Sequence, residues 1–140
     1  MASAIVATSI VGLVTPASAD PTSMDITTTR ATAYGDAYRN LTPGGTEGGK
    51  LFVFRPYYPL TTTVTCPAGE TGVLTSPVWA MFAPQVDFPC TGASQTVVFP
   101  WAAAPNPLGR NVVEASATLY AGGTSVTDTQ TVTVITRLRK

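Results

Sequence analysis

Between Leu60 and Cys66 the chain alternates without a break: Leu60, Thr62, Val64 and Cys66 share one side of an extended backbone, and Thr61, Thr63 and Thr65 share the other. A two-residue period fits a strand buried on one face and leaves no apolar stripe for a helix. The pattern returns near the C-terminus. There Val113, Ala115, Ala117 and Leu119 oppose Glu114, Ser116, Thr118 and Tyr120, Ala121-Gly122-Gly123 turns the chain, and Ser125 to Ile135 comes back as a hairpin partner. Threonine is abundant, and its branched Cβ, like that of valine, suits a pleated strand better than a helix. The expected class is therefore all-β.

Other segments fall into place around these two. Pro21 to Ala33, with Met24 and Ile26 alternating against Asp25 and Thr27, predicts a first strand at an edge. The glycines and Pro43 between Tyr34 and Lys50 predict a long loop, and Asn40-Leu41-Thr42 matches a glycosylation sequon with no further support. Leu51 to Arg55 predicts a central strand ended by Pro56 and Pro59. Val73 to Phe82 predicts another that Pro77 interrupts or confines to an edge, and Ala83 to Pro89 a connection. Ser94 to Phe99 predicts a strand stopped by Pro100, with Trp101 to Leu108 a loop. Asp128 shares the parity of Val126, Val132 and Val134, which predicts a bulge or a change of sheet near Asp128 to Gln130. About seven strands with frequent turns are the pattern of an immunoglobulin-like antiparallel sandwich.

Cys66 and Cys90 are the two cysteines, so a disulfide has one connectivity. It would close a loop of about 25 residues and contribute roughly 3.5 kcal/mol through the unfolded chain. A zinc shell would be half empty without histidine, and the spacing is not C-x-x-C, so neither a metal nor a redox pair is expected. Cys90 follows Trp79 too closely for the central bridge of an antibody domain. The bridge is expected to pin neighbouring elements at one end.

An oxidising compartment is implied by the N-terminus. Ala4 to Val14 is apolar but too short to span a bilayer, and Ala17-Ser18-Ala19 supplies the small residues that precede signal-peptide cleavage, here before Asp20, although no Lys or Arg lies in Met1 to Ala4. Residues 1–19 are thus expected to be a signal peptide and 20–140 one β-sandwich domain, secreted, with no membrane anchor after cleavage. Charged residues make up 11% of the 140-residue chain, and eight acids balance eight bases. With bases few and dispersed along the sequence, no nucleic-acid or membrane partner is expected.

Thr63-Val64-Thr65-Cys66-Pro67-Ala68-Gly69-Glu70-Thr71-Gly72, Cys90-Thr91-Gly92 with Gln95-Thr96-Val97, Ala115-Ser116-Ala117-Thr118-Leu119 and Val126-Thr127-Asp128-Thr129-Gln130-Thr131-Val132 resemble small secreted proteins of high-GC actinobacteria with no assigned function. The likeness runs from about Leu60 to Val134. It implies a β-sandwich and an extracellular location, and no activity.

The chain has no histidine, which removes the usual general base, the Ser-His-Asp triad and the commonest metal ligand together. Asp87, Glu114, Asp128 and Glu70 are scattered acids of the kind any protein carries, and neither a nucleophile elbow nor a phosphate loop is present. No catalytic residue, cofactor or metal is expected. Tyr57, Tyr58, Trp79 and Trp101 lie beside prolines or in predicted connections, where exposed rings stack on sugar or insert into a protein partner; the competing role is to cover the ends of the core. Arg137, Arg139 and Lys140 read as a solvated basic tail. The sequence thus predicts a binding or surface-interaction module, its partner a cell-surface polysaccharide or a secreted protein. The alternative is an inhibitor that offers the disulfide-constrained loop to an extracellular hydrolase.

Overall fold

The computed structural model describes residues 21–37, 46–47, 50–51, 53–79 and 84–139. The expected leader, the sequon and the end of the expected Val73–Phe82 strand lie outside the described residues. Those described contain strands and no helix: β1 (Ser23–Ile26), β2 (Arg30–Ala37), β3 (Thr46–Glu47), β4 (Lys50–Leu51), β5 (Val53–Thr65), β6 (Thr71–Thr75), β7 (Val86–Pro89), β8 (Gln95–Ala103), β9 (Gly109–Ala121) and β10 (Thr124–Leu138). Eight of them form one sheet in the order β1-β5-β2-β10-β9-β6-β7, with β8 on the other edge of β5, while β3 and β4 form a separate ribbon. Every pairing is antiparallel except β2 with β10.

The sheet is continuous at one end and splayed at the other, and three threonines make the transition. Thr27 N–H still donates to Thr61 O on β5 (2.9 Å), whereas Thr29 O already accepts from Thr133 N–H on β10 (2.9 Å). Beyond that step β2 lies between β10 and β5. Inward residues from both halves form one buried cluster that includes Ile26, Leu60, Leu74, Phe99, Leu119 and Val134. Burying one such large side chain is worth about 1.5–3 kcal/mol.

Prolines were expected to end strands, and the structure runs strands through them. β5 continues past Pro56 and Pro59, and β8 past Pro100 into Trp101–Ala103. Each proline sits at a register shift, one between Tyr34/Asp36 against β5 and one between Tyr58/Leu60 against β8. A bulge leaves a residue outside the ladder, so the missing N–H goes unnoticed. The loop expected from Tyr34 to Lys50 likewise gives way to strand as far as Ala37, and the expected Ala83–Pro89 connection contains β7. Around Asp128 the β9/β10 register is unbroken and both strands stay in one sheet, so neither the predicted bulge nor the predicted change of sheet occurs there. Asp128 faces inward and its Oδ2 accepts from Ile26 N–H at 2.8 Å, which supplies a partner to the edge of β1. The Ala121–Thr124 hairpin is as expected: Gly122 and Gly123 have φ of 55° and 80°, the left-handed pair that a two-residue type I′ turn requires.

Cys66 and Cys90 are bonded, with Cα atoms 5.3 Å apart. Both are buried, and with Ala121 and Phe88 they make a small cluster separate from the main core. The bridge therefore lies at one end, as the sequence indicated, but it does not pin neighbouring elements: it ties β5 to β7, which are far apart in the strand order. Cys90 N–H donates to Glu70 O and Gly92 N–H to Cys66 O, each at 3.0 Å.

Candidate functional site

The continuous end of the sheet carries an exposed cluster of aromatic and arginine side chains on its outer face. It starts from a bulge. Val53 points inward and Phe54 outward, as a strand dictates, but Tyr57 also points outward, three residues on. Arg55 absorbs the odd residue at φ 49°, the left-handed region. For a residue other than glycine this costs about 1–2 kcal/mol. Opposite the kink is Gly35, where a Cβ would stand 2.8 Å from Phe54 O and 3.0 Å from Pro56 Cα. The close approach of two backbones thus makes glycine necessary here. On the far side, Pro56 O accepts from Trp79 Nε1–H at 2.6 Å and from Ala104 N–H at 3.0 Å.

Register then sets side chains next to one another. Arg137 on β10 is opposite Tyr34 on β2, and Tyr34 is opposite Tyr57 on β5. One step along, Asp36 is opposite Phe54, and Arg139 follows Leu138, which pairs with Gly35. Tyr34 and Tyr57 are 47% and 37% exposed. Arg139 ties the rows together: its Nη1 donates to Tyr57 Oη (3.1 Å), its Nη2 to Tyr34 O (3.2 Å), and its Nε lies 3.5 Å from Asp36 Oδ1. Its guanidinium carbon stands 5.0 Å from the centroid of the Tyr57 ring, while Arg55 lies 4.8 Å from that of Phe54. The hydrogen bond it donates to Tyr57 Oη holds the Arg139 guanidinium above its already high pKa, so its charge is fixed. An open groove of about 590 Å³ is lined, among the described residues, by Tyr34, Arg137, Leu138 and Arg139.

Of the four rings singled out from the sequence, Tyr57 belongs to this face. Tyr58 does not. It is 2% exposed and part of the core, where burial raises its phenol pKa, so it offers no ring to a ligand. Tyr57, Tyr58 and Trp101 lie within strands rather than connections. Trp101 is 41% exposed and meets buried Phe99 edge-on at 5.6 Å, closing one margin of the core. Trp79 is half-exposed and anchored through its indole N–H. Sequence reading passed over Tyr34 because the glycines after it signalled a loop, and over Phe54 because a strand apolar on both faces reads as central and buried. It took Arg137 and Arg139 for a loose tail, although Thr133, Ile135 and Arg137 alternate with Val132 and Val134 as an outer face must.

Among the described residues no group of three His, Cys, Asp or Glu side chains is placed to hold a metal ion. Comparison of the chain with protein-family models, with curated proteins and with solved structures finds no match in any of the three.

Proposed function

We propose that this chain is a secreted, non-catalytic binding module of immunoglobulin-like architecture, and that the Tyr34–Tyr57 face is its ligand surface. The strand pairing supports the architecture: β1 on β5 and β5 on β8 correspond to one sheet, β10-β9-β6-β7 to the other, and β2 crosses between them. The disulfide fits an oxidising compartment, and the small residues before Asp20 fit export.

One observation carries the functional reading. Two tyrosine rings lie exposed side by side on adjacent strands, with Arg137 and Arg139 beside them, on backbone fixed by ladder hydrogen bonds. Rings with two χ angles on rigid strands lose little entropy when a ligand stacks on them. The test is binding of the purified exported protein to whole cells and to isolated cell-wall polysaccharide. Tyr34→Ala with Tyr57→Ala should abolish binding while the denaturation midpoint shows that the fold persists. Undiminished binding by a folded double variant would refute this assignment.

A further inference from the structure

We propose that the ligand of this face is an acidic polysaccharide, gripped through anionic groups on its sugar repeat; the proposal rests on the Tyr34–Tyr57 surface assigned above. The chain as a whole is neutral, but its fold is not neutral locally. Arg55, Arg110, Arg137 and Arg139 are all exposed, and the topology collects them at the continuous end. Arg110 pairs across from Ile135 and is thus diagonal to Arg137, about 7–8 Å away by strand geometry. Most acids go elsewhere. Asp25 is on β1, Asp87 on β7, Asp128 near the start of β10, and Glu70 in the turn after Cys66, all toward the disulfide end. Glu47 is in the β3 ribbon, and Glu114 shares the outer face of β9 with Arg110, four residues further along the strand and opposite Thr131, where it forms no ion pair among the described residues. Asp36 sits among these arginines, and its carboxylate is engaged by Arg139, in the one ion pair among the described residues. Arg55, Arg110 and Arg137 therefore present positive charge with no carboxylate within ion-pair distance among those residues. The bases that look dispersed along the sequence form a cationic surface in the fold.

Charge alone selects any polyanion, and the rings narrow the choice. Tyr34 and Tyr57 are flanked by arginines whose planar forks match carboxylate and phosphate oxygens. Four adjacent strands, β9, β10, β2 and β5, set the patch at about 15 Å across, wide enough for several sugar rings. A polysaccharide with carboxylate or phosphate on its repeat satisfies rings and arginines together.

The experiment is calorimetric titration of the full exported protein with oligogalacturonate, a glycosyl-phosphate polymer, dextran, inorganic polyphosphate and single-stranded DNA. The expected result is binding to one or both acidic sugars, weakened at least tenfold between 0.05 and 0.5 M NaCl, as screening requires. The stronger of the two identifies carboxylate or phosphate as the recognised group. Arg110→Gln with Arg137→Gln should weaken it at least tenfold, and Tyr34→Leu should weaken it for the sugars but not for polyphosphate. Equal binding of polyphosphate and acidic sugar, or tighter binding of DNA, overturns the inference. Binding to dextran that is insensitive to salt and lost in Tyr34→Leu overturns the inference and leaves the binding-module reading standing. No binding to any probe, with wall binding still lost in the tyrosine double variant, again sinks only the acidic-sugar inference; loss of both removes the two together.

Discussion

Replacing Gly35 by Ala should damage the site without touching any side chain that faces a ligand. The new Cβ would lie 2.8 Å from Phe54 O and 3.0 Å from Pro56 N and Cα, and these are backbone atoms that no rotamer change can move away. Overpacking of this kind costs about 1–3 kcal/mol, offset by about 0.4–1 kcal/mol because alanine restricts the unfolded chain. The net expectation is a loss of about 1–2 kcal/mol. Arg55 tests the opposite strand. At φ 49°, glycine escapes the 1–2 kcal/mol left-handed penalty and loses about 0.4–1 kcal/mol through the unfolded state, so Arg55→Gly should be more stable than Arg55→Ala by about 0.5–1 kcal/mol. In an ordinary strand the order is reversed. Urea unfolding followed by tryptophan fluorescence reads all three, with Trp79 reporting through its bond to Pro56. If Gly35→Ala lies within 0.5 kcal/mol of the parent, or Arg55→Ala is the more stable of its pair, the bulge does not hold the face as described.

Cys66→Ser with Cys90→Ser should lower stability by about 2–4 kcal/mol and leave the β-sheet circular dichroism spectrum in place, since the main core is separate from the bridge cluster. Burial raises the Tyr58 phenol above its usual 10.0, so on raising the pH the unfolded chain releases that proton first. The stability linked to the neutral phenol is whole below about pH 10 and is lost as pH climbs through the folded value, and Tyr58→Phe should flatten that limb in denaturation curves taken from pH 8 to 11.5. Intact mass of the protein from culture medium should correspond to a chain beginning at Asp20; a cell-retained product starting at Met1 would count against export.

Alternation at Leu60–Cys66 and Val113–Tyr120 was enough to read the class, the C-terminal hairpin and the inward face of Cys66, because period two leaves one solution once a face is buried. What alternation hides is a place where the period slips. At Arg55 and at the Pro59–Pro100 contact one residue is added to a strand, and proline, which reads locally as a terminator, marks the slip instead. The site depended on those slips. Tyr57 shares a face with Phe54 because Arg55 turns left-handed, and Tyr34 joins them because Gly35 lets β2 approach. The arginine cluster was equally hidden, since Arg55, Arg110 and Arg137 come together through parallel pairing of β2 with β10, a long-range contact with no local signal.

The central claim is that the β10-β2-β5 outer face is where this protein meets its ligand. Amide chemical-shift mapping of the 15N-labelled protein during titration with the acidic oligosaccharide that binds tests it directly. Shifts should concentrate at Tyr34, Asp36, Tyr57, Arg137 and Arg139 and saturate with one dissociation constant. Shifts centred instead on Glu70, Thr91 and Gly122 at the disulfide end, with the tyrosine rows unmoved, would contradict it.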